Sequence, residues 1–263
     1  MERAAAAGVK WLALTDHDTH AGLAEAQQAC EQQGVVLVAG AEWSLRWNNR
    51  ELHVLGLHVD VQADAICALE ASQQQARTQR AEQIGAKLDR AAGIDNSYAK
   101  ACELAGSCAP GRPWFARLLI QEGKARDQQH AFNRFLKQGQ SAYVATPWAS
   151  LEEGIAAIRA AGGVAVLAHP QHYELTRTKL RRLLTDFCAA GGQGLEVAMP
   201  SVTPHQQRLL EECLRDFPLL ASGGSDFHSP TQSWLTLGRL PPLPTGAQPV
   251  WQDWQLPFLS AVG

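Results

Sequence analysis

The feature that most limits how this chain can fold is a short phrase that recurs along it: an apolar run followed at once by a His, Asp or Glu. Trp11-Leu-Ala-Leu leads into Thr15-Asp16-His17-Asp18, and Val35-Val-Leu-Val-Ala leads into Gly40-Ala41-Glu42. Val164-Ala-Val-Leu-Ala precedes His169-Pro170, and Leu219-Leu-Ala-Ser precedes Gly224-Ser225-Asp226-Phe227-His228. Leu52-His53-Val54-Leu55-Gly56-Leu57 carries its His inside the run, and Leu195-Glu196-Val197 is a short version of the same phrase. Short apolar runs bounded by polar residues and separated by helical stretches read as strands of an α/β chain with a mainly parallel sheet. Helix signals agree. Ser150-x-x-Glu153 is a capping box before Ile155 and Ile158, Gly162-Gly163 ends that helix, and Thr203-Pro204-x-Gln206 opens another with a cap and a proline at the first helical position.

Residues 68–148 break the rhythm. The stretch is polar, rich in Gln and Arg, and helically spaced (Ile84 to Leu88; Phe132, Phe135, Leu136), with no strand-like segment before Ala142-Tyr-Val. It predicts a helical insertion between an N-terminal part, 1–67, and a C-terminal part, 149–263. Extending the Leu88–Ile84 stripe backwards places Arg80 and Arg77 on the face of the apolar anchors, where they either point inward or snorkel along a solvated edge. The C-terminal Leu240-Pro-Pro-Leu-Pro and Pro249-Val-Trp segment predicts an irregular strap, because proline suits neither a helix interior nor a central strand.

Composition narrows the function classes. With 263 residues, 46% of them hydrophobic and 19% charged, the chain is an ordinary globular one. A formal charge of -3 leaves no chain-wide cationic surface for duplex DNA. The six cysteines form no Cys-x-x-Cys, and no signal peptide or apolar run of about 18 residues is present, which predicts a reduced, cytoplasmic protein away from membranes and with no obligate protein partner. No dinucleotide fingerprint, Walker A loop or Gly-x-Ser-x-Gly elbow occurs either.

If the strands share a parallel barrel, the residues just after them converge on one rim. That rim would gather His17, Glu42, His169, Asp226 and His228, with His53 from within its strand. A lone His after a strand is more often a hydrogen-bonded structural group than a ligand. Six such residues together are hard to explain by packing, since unpartnered buried ionisable groups cost several kcal/mol. Imidazole and carboxylate together suit first-row divalent ions, so the set predicts a multinuclear hydrolytic metal site. His20, His58, His130 and His205 read instead as surface or capping residues, and Arg177, Lys179, Arg181 and Arg182 as a solvated helix start.

At Leu14-Thr-Asp-His-Asp-Thr, Ala168-His-Pro and Gly224-Ser-Asp-Phe-His the sequence resembles the PHP (polymerase and histidinol phosphatase) family. It is most similar to a stand-alone bacterial branch of nucleoside 3′,5′-bisphosphate phosphatases and 5′-to-3′ exoribonucleases. The resemblance runs along nearly the whole chain. It implies a distorted (β/α)7 barrel with a helical insertion and a trinuclear site supplied with manganese. Glu42 would bridge two ions, His53 and His169 would complete one of them, His17 and His228 would sit on another, and Asp226 would serve the third. The implied chemistry is attack of metal-bound hydroxide on phosphorus in a small nucleotide or a short RNA. Phosphate binding would fall to Arg112 and Arg117, with Arg77, Arg80 and Arg134 as second choices.

The sequence departs from the family pattern in places. The family's first strand, ending in His-x-His, has no counterpart, and Met1 falls where the family's first helix is under way; that pattern predicts two unpaired sheet edges. Trp114 stands where the family has His in Gly-Arg-Pro-His, and His172 where it has Arg after His-Pro. Two other readings follow: a catalytically silent paralogue that binds phosphorylated ligands or a partner, and a phosphatase of the histidinol-phosphate type.

Overall fold

A computed structural model describes residues 1–107, 109–200, 202–228 and 236–254; Cys108 lies outside them. They divide into two compact units, 1–70 with 149–263, and 71–148.

The first unit opens with a short helix, α1 (Glu2–Ala6), strand β1 (Trp11–Leu14) and helix α2 (Leu23–Gln33). A long hairpin follows, β2 (Val36–Trp47) and β3 (Arg50–Leu57), then the start of helix α3 (Asp64–Ala92), which runs on into the second unit. The second unit continues with α4 (Ser97–Ala105), α5 (Arg112–Gln121), α6 (Gln128–Ala131) and a π-helical turn at Phe132–Leu136. The chain then returns to the first unit as α7 (Leu151–Ala160), β4 (Val164–Leu167), α8 (Arg177–Ala189), β5 (Gly194–Ala198), α9 (Pro204–Asp216) and β6 (Leu220–Gly223).

The six strands form one sheet in sequence order, β1 to β6. The pairs β1–β2, β4–β5 and β5–β6 are parallel, but β3 runs antiparallel to both neighbours. Five of the six strands thus run the same way, and β3 alone is reversed. Asn48 and Asn49 make the reversal, with φ of 45° and 60°, the left-handed pair that a two-residue hairpin turn needs and that Asn tolerates. No strand forms at Ala142-Tyr-Val; Ala142 is instead buried among the helices of the second unit.

Alternation along the hairpin gives the sheet two different faces. Trp43, Leu45, Leu52 and Val54 point to a core shared with Ile155 and Ile158 of α7, Leu183 and Phe187 of α8, and Leu210 of α9. Glu42, Ser44, His53 and Leu55 alternate with them, and cross-strand register pairs Glu42 with Leu55 and Ser44 with His53. The opposite face thus carries a few apolar residues (Leu55, Leu57, Val166, Ala168, Val250) and the polar groups.

Both capping boxes form: Ser150 with Glu153 and Thr203 with Gln206. The tail is an irregular strap that lies along β6, where Ala221 N–H donates to the Gln248 carbonyl at 2.7 Å and Val250 N–H to the Ala221 carbonyl at 2.9 Å. Among the described residues β1 has β2 as its one strand partner. No helix among them is long and apolar enough to cross a membrane.

In the second unit, Gly85 of α3 lies against the start of α4. A methyl group there would stand 2.8 Å from the Tyr98 nitrogen and 2.9 Å from its Cα, backbone that cannot move aside. Gly85→Ala should therefore destabilise this unit by about 1–3 kcal/mol, measured as a lowered urea midpoint.

Candidate metal centre

His17, Glu42, His169, Glu196, Asp226 and His228 line a single cavity of about 1020 Å³ in the first unit. Its middle is the Glu42 carboxylate, 5% exposed. His53 Nδ1 and His169 Nε2 both lie 2.8 Å from Glu42 Oε1 and 3.1 Å from each other, and His17 Nδ1 is 3.7 Å from Glu42 Oε2. One donor atom each from His17, Glu42 and His53 falls within 4.8 Å of the others.

Several elements supply these groups. His17 follows β1, Glu42 lies within β2, His53 lies within β3, and His169 follows β4. Beyond the end of β6 the geometry loosens: the His228 ring is 6.0 Å from that of His17, and Asp226 and His228 are both exposed. His228 Nδ1 lies 2.9 Å from the Asp226 carbonyl oxygen and 3.4 Å from its carboxylate. The structure thus draws His17, Glu42, His53 and His169 tightly together and leaves Asp226 and His228 at the rim.

Backbone strain marks three of the loops. Asp18, His169 and Asp226 have φ of 55°, 29° and 51°, left-handed values that cost non-glycine residues of order 1–3 kcal/mol each. Asp18 is fully buried: Ser44 donates to it from its backbone N–H at 2.7 Å and from its hydroxyl at 2.9 Å. Asp18 N–H in turn donates to the Glu42 carbonyl at 2.9 Å, so the loop bearing His17 is stitched to the strand bearing Glu42. His169 N–H donates to Glu196 Oε2 at 2.8 Å, which holds the His-Pro corner.

Burial and charge set the protonation of this cluster. Burial works to raise the Glu42 carboxyl, but hydrogen bonds to His169 and His53 and the nearby ring charges more than offset it and hold the group far below the usual carboxylate range. For His53 burial works downward, while Glu42 and Glu51 outweigh it and push the imidazole up to about 9. For Glu196 burial works upward and outweighs the hydrogen bond from His169 N–H and the His169 charge, raising the carboxyl to about 7.

The donor set tests well against a metal. Three imidazoles and a carboxylate are what first-row divalent ions take, and two ring nitrogens 3.1 Å apart on one carboxylate oxygen suit a shared cation better than two protons. His169 Nδ1 is buried with no hydrogen-bond partner among the described residues.

Glu196, Tyr173, Asp18 and Ser44 stand around the cluster without having been singled out in the sequence. Glu196 had a signal, since it interrupts an apolar run as the candidate ligands do; Asp18 stands in the motif after β1, and Ser44 and Tyr173 had none. His20, expected at the surface, is half-buried with its side chain 7% exposed: it packs edge-on against Trp43 with ring centroids 5.3 Å apart, and its Nδ1 lies 3.2 Å from Glu70. Thr19 donates to the same carboxylate at 2.6 Å, so a short loop filled its space with a paired His rather than exposing it.

The arginines belong to the second unit. Arg80 is 7% exposed, donates to Thr146 at 3.0 Å and lies 5.2 Å over the Trp148 ring. Arg77 is half-buried and meets the same ring at 5.3 Å. Arg112 opens α5, half-buried; Arg117 is exposed beside Trp114, and Arg134 is exposed over Phe135. In the first unit, Arg177 and Arg181 of α8 pair with Glu212 and Asp216 of α9.

Comparisons with known proteins show what the whole chain is similar to. The chain is 42% identical over 252 residues to a 5′-3′ exoribonuclease of Haemophilus influenzae, covering 96% of this chain and 91% of the relative. It is 39% identical over 254 residues to a 3′,5′-nucleoside bisphosphate phosphatase of Chromobacterium violaceum, covering 96% and 89%. A solved structure from Bifidobacterium adolescentis, described as a metal-dependent phosphoesterase, superposes with a TM-score of 0.76 at 28% identity over 95% of this chain and 86% of the other. No family model matches. The chain belongs to the PHP family, in the branch that holds the first two of these proteins, and its six-stranded sheet is that family's distorted barrel. It is a phosphoesterase.

One consequence is measurable without metal. Glu196 has a folded-state pKa above its unfolded value, so the fold holds an extra proton between about pH 4.5 and 7 and stability falls as pH rises through that window. Glu196→Gln keeps an acceptor for His169 N–H and removes the titration. The metal-free variant should gain on the order of 2–3 kcal/mol over the wild type at pH 8 and match it at pH 4, as read from urea unfolding at both pH values.

Proposed function

We propose that this chain hydrolyses phosphate esters of nucleoside 3′,5′-bisphosphates or of the 5′ end of short RNA with the help of divalent ions, manganese foremost, held by His17, Glu42, His53 and His169 and completed by Asp226 and His228. The observation that carries this reading is the buried Glu42 carboxylate with His53 and His169 both 2.8 Å from one of its oxygens. Relatives that act on each of these substrates are 42% and 39% identical to it, which favours these two substrates over histidinol phosphate and an active enzyme over a silent form.

Bound at this site, a divalent ion lowers the pKa of water and neutralises charge on phosphate oxygens. The chain's own groups do the rest. Glu42 supplies the negative charge that makes the pocket a cation site, and the three imidazoles fix its position from separate elements. Asp18 and Glu196 hold the backbones of the His17 and His169 loops, so the ligands need not reorganise on loading. Asp226 and His228 occupy the open rim, where substrate enters. Phosphate recognition is assigned to Arg112 and Arg117, with Arg77, Arg80 and Arg134 in support, because guanidinium forks match phosphate oxygens two at a time. The free thiols Cys30, Cys67, Cys102, Cys188 and Cys213 accord with a reducing cytoplasmic setting.

Phosphate release from adenosine 3′,5′-bisphosphate and mononucleotide release from a 5′-phosphorylated RNA of a few residues test this reading. Activity should vanish with EDTA, return with Mn2+, and fall by about a hundredfold or more in His169→Ala. Activity that survives both treatments, or that favours histidinol phosphate, would refute it.

A further inference from the structure

Tyr173 sits just after the His-Pro corner, at the end of the 3-10 turn Pro170–Tyr173, with its ring 5.5 Å from that of His169. Its hydroxyl lies inside the β3–β4 ladder. In the antiparallel register Val54 faces Leu167, so the next pair outward is His53 with Ala168. A bonded antiparallel pair exchanges two N–H to carbonyl bonds. Here one is made directly, from Ala168 N–H to the His53 carbonyl at 3.0 Å. The reciprocal bond is not. His53 N–H donates instead to Tyr173 Oη at 2.9 Å, and Tyr173 O–H donates to the Ala168 carbonyl at 2.8 Å, with the His53 carbonyl 3.2 Å away as a second acceptor.

A phenol oxygen thus stands where one rung of the ladder would close, at the pair from which two ligands depart. His53 is itself a member of that pair, and His169 follows Ala168 directly. Replacing a single N–H to carbonyl bond by two in series holds the strands apart on one side and leaves the direct bond as a hinge on the other. We propose that the Tyr173 hydroxyl is a positioning group for the metal centre, a spacer that sets the 3.1 Å separation of His53 Nδ1 and His169 Nε2. The inference rests on the metal reading above and extends it to a residue that touches neither ion nor substrate. Removing the hydroxyl leaves two choices. Either the rung closes and draws the ligands out of place, or His53 N–H and the Ala168 carbonyl lose their partner.

The test compares the wild type, Tyr173→Phe and a chain with 4-aminophenylalanine at 173, each free of metal. Crystal structures should show the His53–His169 nitrogen separation altered by at least about 0.5 Å in Tyr173→Phe, the tolerance within which a ligand set must be held. Calorimetric titration with Mn2+ should show affinity lower by about tenfold in Tyr173→Phe, the usual cost of losing an outer-shell partner. The 4-aminophenylalanine chain keeps a donor and offers a weaker acceptor, so it should lose only about threefold. A purely structural role would lower the melting temperature of the metal-free protein and leave Mn2+ affinity alone. Unaltered nitrogen separation, or wild-type Mn2+ affinity in either variant, overturns the proposal. If Tyr173→Phe does not fold, the 4-aminophenylalanine chain decides by the same two readings. A wild type that takes up no Mn2+ overturns the metal reading instead, and the nitrogen separation alone then judges Tyr173.

Discussion

A buried carboxylate among imidazoles is the interaction on which the rest of this molecule turns. Glu42 is nearly closed off from water, and a charge so placed is affordable only with partners. Its partners come from three other places in the chain: after β1, within β3 and after β4. The sheet must therefore bring those positions to one spot before the carboxylate can be buried at all. The helix-facing core of Trp43, Leu45, Leu52 and Val54 does this by fixing the β2–β3 pairing, because a slip of one residue would turn Glu42 and His53 toward α7 and α8.

Groups outside the cluster of His17, Glu42, His53 and His169 carry much of its geometry. Asp18 and Ser44 tie one loop to β2, Glu196 and Tyr173 hold the His-Pro corner, and the left-handed residues Asp18 and His169 sit where these contacts converge. Strain at these positions is sustained by buried hydrogen bonds rather than by glycine. Glycine would relax the backbone and, at His169, remove the imidazole beside Glu42.

The alternation of apolar run and polar end was enough to read the fold class and the cluster of candidate ligands from sequence, because each of those residues breaks a hydrophobic pattern. Direction was harder. Asn48-Asn49 is weaker as a turn signal than Asn-Gly, and the reversal of β3 went unread, which made the sheet look more parallel than it is. Ala142-Tyr-Val looked like a strand because small apolar residues serve a helical core equally well. His20 was misjudged for a related reason: its partner Glu70 is distant in sequence, and no local pattern announces a pairing of that kind. Tyr173 showed nothing in advance, since its role depends on one hydroxyl entering a ladder.

The tight hairpin between β2 and β3 carries an implication for how this sequence can drift. Substitutions at most of its positions change a side chain and little else. A shift of the pairing register by one residue along Trp47 to His53 would swap the inward and outward sets on the returning strand and carry the imidazole to the far side of the sheet. In any lineage descended from this chain, the turn at Asn48-Asn49 is thus held to residues that accept a left-handed backbone, and a change in its length must leave the facing pairs in register.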